Sequence, residues 1–349
     1  MKTKRPYQQI FGTVVLLLVL VIACNNDDDN TNLPEPPRDA AEVLVEDEAK
    51  IKRFLDNHYV KRIRRNLDSI QAPYIEFALK EPNDTRKITD SLEIIETEVD
   101  ALGITHTLYV LIDKRRSRNA DKLKMIPELR QFRPSCVDSV LLHYEGRNVA
   151  DLSTTNDNNI ISIAETIFDS RTTPSWIDLN GSPLPGFYRG LEYFYENDDV
   201  SITKNQENGE LIYKGQPDVG ALIIPSGLGY FAGRTTGDSY QTLLFTFQLL
   251  QVNKADSDND GILDIDEDLD TDCVLLLDSG IQNAPPLADD DTDGDGVANF
   301  RDVDDDNDGV LTREEITFKA DGTVDKVDFN GDGTPDYLDP RVREVRTEL

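Results

Sequence analysis

The feature that most constrains this chain is a spacing of aspartates and glycine that occurs four times between Asp256 and Asp339. Each occurrence has Asp or Asn at positions one, three and five, Gly at position six and an acid at position twelve. Carboxylates at alternate positions converge on one hard cation, and the glycine permits the sharp turn between them. A backbone carbonyl at position seven and the acid at position twelve complete the coordination sphere. The spacing therefore predicts four calcium-binding loops.

We name these segments loop 1 to loop 4 in chain order, at residues 256–267, 291–302, 304–315 and 328–339. The expected calcium ligands are Asp256, Asp258, Asp260, Ile262 and Glu267; Asp291, Asp293, Asp295, Val297 and Asp302; Asp304, Asp306, Asp308, Val310 and Glu315; and Asp328, Asn330, Asp332, Thr334 and Asp339. A disordered acidic spacer is the alternative interpretation of such a stretch. A spacer, however, has no reason to keep glycine at the sixth place of every window.

The negative charge of the chain is concentrated in the same region. From Asp256 to Asp339 there are 28 acidic and four basic residues, a net charge of −24 out of −31 for all 349 residues. Such a surface repels phosphate backbones, so nucleic acid is not an expected partner. Packed carboxylates also repel one another, so we expect cation binding to be coupled to ordering of this region.

The four loops follow one another through short Asp-rich or Asp-Pro joins, and only loop 3 is followed by helix-forming sequence, at 311–318. In this respect they resemble thrombospondin type 3 calcium repeats more than paired EF-hands. The resemblance implies an irregular acidic tail at 255–340, wrapped around stacked ions with little apolar core and followed by a C-terminal end at 341–349. Extracellular calcium modules bind at roughly 10⁻⁴–10⁻³ M, which favours a structural role over a sensor role.

The N-terminus has the pattern of a secretory signal peptide. Basic residues precede an apolar run at 10–23 that is too short to span a bilayer comfortably. The run ends in Val-Ile-Ala-Cys, which resembles a bacterial lipobox and implies lipidation of Cys24 and membrane anchorage. An ordinary secretory signal with an unrelated cysteine is the alternative. The acidic stretch at 25–29 resembles the surface-export signal of Bacteroidota lipoproteins, although a solvated linker over 25–40 explains it as well. The predicted location is the outer membrane or cell surface, with a periplasm-facing anchor as the other possibility.

The segment at 41–103 is predicted to be helical. Apolar residues recur at helical spacing over 41–59, and further helices are expected at 63–79 and 88–102. This segment is interpreted as a packed extension or a dimerising arm, so monomer and dimer both remain open. His58 and His106 are isolated and are expected to be structural. Thr107–Ile112 is apolar and rich in strand-forming residues, so it is the expected first strand of the next domain.

Five pieces of sequence follow one another between residues 104 and 254. They are LLHYEG at 141–146, FDS at 168–170, PGFYRG at 185–190, IPSGLGY at 224–230 and QTLLFTFQLL at 241–250. In order and character they resemble the FKBP family of peptidyl-prolyl isomerases. The resemblance implies an α+β fold in which an antiparallel sheet wraps on a short helix.

The resemblance also implies a pocket for a proline peptide. Its candidate residues are Tyr144, Phe168, Asp169, Leu184, Phe187, Tyr230 and Phe245. Leu184 occupies the position of the family's Ile, whose backbone amide holds the peptide carbonyl. Phe187 occupies the position of the Trp that forms the pocket floor. Tyr230 occupies the position of the loop Tyr that hydrogen-bonds the substrate. There are departures from the family pattern. Pro183 replaces a Val-like residue, and Ser175 or Trp176 stands where the family usually has another aromatic residue in the pocket wall. The flap after Tyr230 lacks the usual prolines.

Isomerisation needs no nucleophile, metal or cofactor. An X–Pro bond rotates against a barrier of about 18–20 kcal/mol because amide resonance must be broken. A dry aromatic pocket lowers this barrier if it favours the twisted amide over the planar one. The expected function is therefore isomerisation of proline-containing exported polypeptides by a folding helper on the cell envelope. The alternative is a non-catalytic, calcium-dependent surface adhesion or assembly module on the same scaffold.

Two cysteines, Cys136 and Cys273, remain once Cys24 is lipidated. In an oxidising exterior they can pair and link the tail to the preceding domain. Two free thiols are the alternative, because the separation of their Cα atoms cannot be read from a sequence.

Overall fold

The computed structural model describes residues 36–65, 67, 74–115, 132–151, 161–182, 184–196, 200–209, 211–275, 290–319 and 324–343. The signal peptide at 1–24, the lipidation of Cys24, the acidic export signal at 25–29 and the replacement at Pro183 lie outside these ranges. Within the described ranges, no helix combines the length and the apolar character that crossing a membrane requires.

The regular elements are mostly strands. In chain order they are α1 (Ala40–Asn57), β1 (His58–Ile63), β2 (Ile75–Leu79), β3 (Leu92–Ala101), β4 (Ile104–Asp113), β5 (Ser139–Asp151), β6 (Ile161–Asp178), α2 (Pro185–Leu191), β7 (Ser201–Lys204), β8 (Leu211–Lys214), β9 (Asp218–Ile224), β10 (Leu243–Asn253), α3 (Thr312–Glu315), β11 (Thr317–Phe318) and β12 (Val324–Asp325).

Six strands form one sheet in the order β3-β4-β9-β10-β5-β6, and every neighbouring pair is antiparallel. The central strands β9 and β10 are nearly continuous runs of buried residues, because both faces of the sheet are covered. Helix α2 packs on one face, while α1 and β2 pack on the other. An antiparallel sheet with few helices is an α+β arrangement, which agrees with the predicted fold class.

Helix α1 confirms the prediction of a helix at 41–59. Asp39 caps its N-terminus, because its carboxylate accepts hydrogen bonds from the backbone N–H groups of Ala41 and Glu42 at 2.9 and 3.2 Å and so satisfies donors of the first turn. Ile51 and Phe54 on its inner face are fully buried against the sheet. Helix α1 therefore packs on the sheet and covers part of its second face.

The two further helices predicted at 63–79 and 88–102 are wrong. Strand β2 lies in the first range and pairs with β1, and β3 lies in the second and pairs with β4 along its whole length. Leu92, Ile95 and Val99 stand at helical spacing, but this stretch also carries many β-branched side chains, which favour extended backbone. Pairing with the long apolar strand β4 decides between the two structures. The six-stranded sheet thus begins inside the segment that was predicted to be helical.

Two glycines place α2 directly on the sheet. A Cβ atom at Gly186 or Gly190 would collide with the side chains of Ile224 and Leu222 on β9. Because these positions lack a side chain, the short helix lies close enough to the sheet for Phe187 and Leu191 to be buried.

The acidic tail is attached to the sheet domain by a disulfide and a buried carboxylate. Cys136 and Cys273 are bonded, with Cα atoms 5.9 Å apart, so the paired alternative is correct. Asp138 is fully buried, and its carboxylate accepts hydrogen bonds from the ammonium group of Lys254 at 2.5 Å and from the backbone N–H of Ala255 at 3.0 Å. These contacts fix the direction in which the chain leaves β10 and enters loop 1.

Candidate functional site

The structure brings the seven predicted pocket residues together on the α2 side of the sheet. Strand β5 contributes Tyr144, β6 contributes Phe168 and Asp169, and β10 contributes Phe245. Leu184 and Phe187 come from the start of α2, and Tyr230 comes from the loop between β9 and β10. All except Asp169 belong to the apolar cluster on this face or pack against it.

A hydrogen bond marks the polar edge of this pocket. The hydroxyl of Tyr144 donates to Oδ2 of Asp169 at 2.7 Å, and Arg171 donates to the other carboxylate oxygen at 3.2 Å. Burial, followed by the hydrogen bond to Asp169, raises the pKa of Tyr144. The phenol therefore stays protonated and keeps the carboxylate, whose side chain is 38% exposed, in one orientation.

The pocket wall is a cluster of aromatic rings around Phe245. Its ring centroid lies 4.9 Å from that of Phe187, 5.4 Å from that of Phe168 and 6.0 Å from that of Tyr144. The contact between Phe168 and Phe245 is edge-to-face, the arrangement that aromatic quadrupoles favour. Phe245, Phe187 and Tyr144 are at most 5% exposed. The cluster is a low-dielectric region next to the carboxylate of Asp169.

A bulge and a glycine bring Phe168 into this cluster. Between the pairs Gly146–Asp169 and Arg147–Ile167, β6 has one residue more than β5, and that residue is Phe168. A Cβ atom on Gly146 would lie only 2.7 Å from the ring of Phe168 and 2.8 Å from the ring of Phe245. Glycine is therefore required opposite the bulge so that the two rings can meet.

The loop that carries Tyr230 is held by a residue that the sequence analysis did not identify. Asp47 of α1 is 1% exposed, and its carboxylate accepts the N–H and hydroxyl of Ser226 at 2.7 and 2.6 Å and the hydroxyl of Thr242 at 2.6 Å. Ser226 and Thr242 flank the loop, whose Tyr230 ring lies 6.4 Å from that of Phe168. Helix α1 thus positions one side of the pocket from the opposite face of the sheet.

The departures from the family pattern fall in distinct places. Trp176 is 52% exposed, and Ser175 pairs with Leu142 in the sheet. The backbone N–H of Leu184, expected to hold the peptide carbonyl, donates to the hydroxyl of Ser182 at 3.4 Å. A hydrogen bond of that length is weak, so it leaves the N–H available to a stronger acceptor.

The four predicted calcium loops share one backbone conformation. Each has a left-handed residue at position four and a left-handed glycine at position six, the latter with φ of 104°, 95°, 95° and 101° at Gly261, Gly296, Gly309 and Gly333. In each, the N–H of position two donates to the side chain at position nine, and the N–H of position nine donates to the carbonyl before the loop. Side-chain carboxylates at position five accept the N–H of position seven. The repeat in sequence is therefore a repeat in structure.

Loops 1 and 3 have the buried, unpartnered oxygens that a cation site requires. Among the described residues, at least one carboxylate oxygen of each acidic ligand in these two loops is buried without a hydrogen-bond partner. Burial raises the pKa of Asp260 to about 7 and that of Glu267 to about 10, and neighbouring carboxylates add to both shifts. Burial likewise raises the pKa of Asp306 to about 7 and that of Glu315 to about 8. The donor set of both loops fits a hard, oxygen-preferring cation such as calcium.

Loops 2 and 4 differ from this arrangement. In loop 2, ligand atoms of Asp291, Asp293 and Asp295 lie within 4.8 Å of one another, but among the described atoms of this loop only Oδ2 of Asp293 is buried and unpartnered. In loop 4, Arg341 donates to Asp339 at 2.7 Å and also contacts Asp332. The hydrogen bond from Arg341 lowers the pKa of Asp339. A guanidinium thus lies where a cation would bind in loop 4.

The tail contacts helix α2, which carries the candidate pocket residue Phe187. Tyr188, next to Phe187 in α2, packs against an apolar cluster that contains the disulfide of Cys136 and Cys273 and Phe300 of loop 2. The tail also contains an acidic loop that the pattern did not identify, at Asp268, Asp270 and Asp272, in which Cys273 takes the place of the glycine with φ of 70°. Cysteine at position six and Ser279 at position twelve, where the pattern requires glycine and an acid, explain why the pattern misses this loop.

The chain is similar to a known protein family and to solved structures. Residues 257–330 match the family model described as BamM C-terminal. The chain is similar to the solved structure of a peptidyl-prolyl cis-trans isomerase from Pseudomonas syringae pv. tomato, with 18% identity over 39% of this chain and 88% of that chain and a TM-score of 0.23. It is also similar to FkpA from Escherichia coli, with 19% identity over 42% of this chain and about half (48%) of that chain and a TM-score of 0.26. No curated protein matches the sequence.

Proposed function

We propose that this chain is a peptidyl-prolyl cis–trans isomerase that assists the folding of exported proteins on the cell envelope. The observation that carries the proposal is the convergence of Phe168, Phe187 and Phe245 beside the hydrogen-bonded pair Tyr144–Asp169. These residues are distant in sequence, and the FKBP resemblance predicts each of them for the proline-binding pocket.

In this proposal the proline ring of the substrate packs on the aromatic wall, which excludes water from the X–Pro bond. The N–H of Leu184 and the hydroxyl of Tyr230 donate hydrogen bonds to peptide carbonyls and orient the chain. Burial raises the pKa of Tyr230, which keeps its hydroxyl protonated and able to donate. A twisted amide has lost its resonance and is less polar than a planar one, so a dry wall stabilises it relative to the ground state. Binding and exclusion of water are sufficient for the reaction.

The tail is proposed to bind calcium in a structural role. Loops 1 and 3 are the principal sites because their buried carboxylates lack partners, and loop 2 is a further site. In loop 4 a cation would have to displace Arg341 from Asp339 and Asp332. When bound, calcium supplies positive charge that offsets the repulsion between packed carboxylates. The protein's own residues position the tail through Asp138, the disulfide and the contact of Tyr188 with the adjoining cluster.

The envelope location is proposed from the sequence and from one similarity. Lipidation at Cys24 would anchor the chain, and the match of residues 257–330 to the BamM C-terminal family supports a place near outer-membrane assembly. Proline-containing exported polypeptides are the proposed substrates.

The isomerase proposal is tested by catalysis in matched variants of the chain from residue 25 onward, saturated with calcium. Asp169→Leu and Tyr230→Phe are expected to lower the catalysed rate of cis/trans exchange in a proline peptide. Asp56→Leu, an exposed acid at the end of α1, is the control and is expected to leave the rate unchanged. Equal rates for Asp169→Leu and Asp56→Leu would contradict a role for the pocket.

A second candidate function is a non-catalytic assembly module on the same scaffold. The similarity to the BamM C-terminal family and the exposure of Trp176, where the family places a wall aromatic, favour it. The two candidates differ in one measurement. Partner binding that survives Asp169→Leu and Tyr230→Phe, in a protein without catalysed exchange, supports the assembly module.

A further inference from the structure

Asp305 stands at position two of loop 3, a place that carries no ligand in the calcium-loop pattern. Its side chain nevertheless points toward loop 1. Carboxylate oxygens of Asp305, Asp260 and Glu267 lie within 4.8 Å of one another, and the three residues are 1%, 3% and 0% exposed. Three acids from two different loops therefore meet in one buried place.

The oxygens at this place have no partner. Among the described residues, both carboxylate oxygens of Asp305, both of Glu267 and Oδ2 of Asp260 are buried without a hydrogen bond. In the same part of the chain, no lysine or arginine forms an ion pair with any of the three. Buried carboxylates without hydrogen bonds or counter-charge are strongly unfavourable, so this arrangement needs a positive charge.

Protonation is a poor alternative to a cation. A protonated carboxylic acid is a hydrogen-bond donor, and three acids that shared protons would hydrogen-bond to one another. No such bond joins these three side chains.

The junction between the two loops is also packed by apolar residues. Ile262 at position seven of loop 1 and Ile316 directly after loop 3 form one buried cluster with Tyr337 of loop 4. The three acids therefore lie beside an ordered contact between loops 1 and 3, and their proximity does not depend on an exposed segment.

We propose that Asp260, Glu267 and Asp305 hold a divalent, oxygen-preferring cation that joins loop 1 to loop 3. The proposal rests on the calcium binding proposed above and adds a site to it. Asp260 and Glu267 are also predicted ligands of loop 1, together with Asp256 and Asp258, so both carboxylates are shared between two neighbouring cations. The two sites together contain five carboxylates, those of Asp256, Asp258, Asp260, Glu267 and Asp305. One divalent cation among them would leave a net charge of −3, whereas two cations leave a net charge of −1.

The proposal is tested by counting bound calcium ions in the chain from residue 25 onward. Equilibrium dialysis and native mass spectrometry are carried out on the wild type, on Asp305→Asn and on Asp325→Asn. Asp325 is an exposed acid of the same tail outside every loop, so its variant controls for the loss of one charge. We expect Asp305→Asn to bind one calcium ion fewer per chain than both other proteins. Asp305→Ala provides the same count if the asparagine variant does not fold.

The unfolding temperature, measured with and without calcium, distinguishes a calcium ligand at Asp305 from a residue that only supports the fold. In chelator, Asp305→Asn is expected to unfold at a higher temperature than the wild type, because one of three repelling charges is gone. In saturating calcium the order is expected to reverse, because a ligand is missing. An unchanged calcium count in both Asp305 variants overturns the proposal. A wild type that binds no calcium would instead overturn the calcium binding on which it rests.

Discussion

Tyr144 and Asp169, 25 residues apart in sequence, are joined by a 2.7 Å hydrogen bond where β5 and β6 meet the aromatic cluster. The phenol is buried and the carboxylate is partly exposed, so the bond runs from the interior of the pocket to its rim. It fixes the only acidic group among the seven pocket residues.

Tyr144→Phe removes this hydrogen bond and keeps the ring. We expect kcat/KM for a proline peptide to fall about tenfold, equivalent to about 1.4 kcal/mol of transition-state stabilisation, because Asp169 is no longer oriented. The measurement is a comparison of exchange rates with the wild type and with Tyr213→Phe, a tyrosine of the β7–β8 hairpin outside the pocket. Equal losses in the two variants would mean that the effect is not specific to the pocket.

Asp47→Ala removes the carboxylate that accepts hydrogen bonds from Ser226 and Thr242. We expect the free energy of unfolding to fall by about 3 kcal/mol, because three buried donors lose their acceptor. Since these residues flank the loop of Tyr230, KM for the peptide is also expected to rise. Urea unfolding and steady-state exchange kinetics measure the two effects. Glu48→Ala, an exposed neighbour on the same helix, should show neither; a similar loss in both variants would contradict the positioning role.

His143→Gln tests the effect of pH on stability. Burial lowers the pKa of His143, whose Nδ1 lies 2.9 Å from the carbonyl oxygen of Thr172 and whose ring lies near those of Tyr74 and Tyr213. The unfolded state then takes up a proton at about pH 6.5, while the native state does so only at lower pH. Stability is therefore expected to fall as the pH drops below about 6.5, and less steeply in His143→Gln. Parallel stability curves for the two proteins in saturating calcium would contradict this.

Arg341→Gln tests whether the guanidinium competes with calcium in loop 4. Removing it frees Asp339 and Asp332, so we expect calcium binding by this loop to become tighter. Calorimetric titration measures the change, and Arg313→Gln, an exposed arginine at α3, is the matched control for charge. Weaker binding in Arg341→Gln than in Arg313→Gln would show that Arg341 supports the loop instead of competing for it.

Local sequence signals predicted those parts of the fold that short-range physics determines. The apolar spacing of α1 and the glycine at position six of each calcium loop are such signals, because each one acts within a few residues. The aromatic pocket was predicted because its pieces resemble a known family. Strand β3 was missed because Leu92, Ile95 and Val99 fit either helix or strand, and pairing with β4 decides between them.

Two residues that matter for the sites could not be identified from sequence. Asp47 lies on an amphipathic helix among other acids, and only the fold places it 2.6 Å from Thr242, 195 residues away. Asp305 is one of three consecutive aspartates, and its neighbours Asp304 and Asp306 fit the calcium pattern better. Contacts between distant segments determine both roles, so no local spacing signals them.

The most direct test of the account is exchange NMR of a proline peptide with the calcium-saturated chain from residue 25 onward. Uncatalysed exchange takes tens to hundreds of seconds. We predict that substoichiometric amounts of the folded protein accelerate it well beyond that rate, and that the acceleration is lost in Asp169→Leu. Exchange at the uncatalysed rate in the presence of a folded, calcium-loaded wild type would contradict the isomerase account.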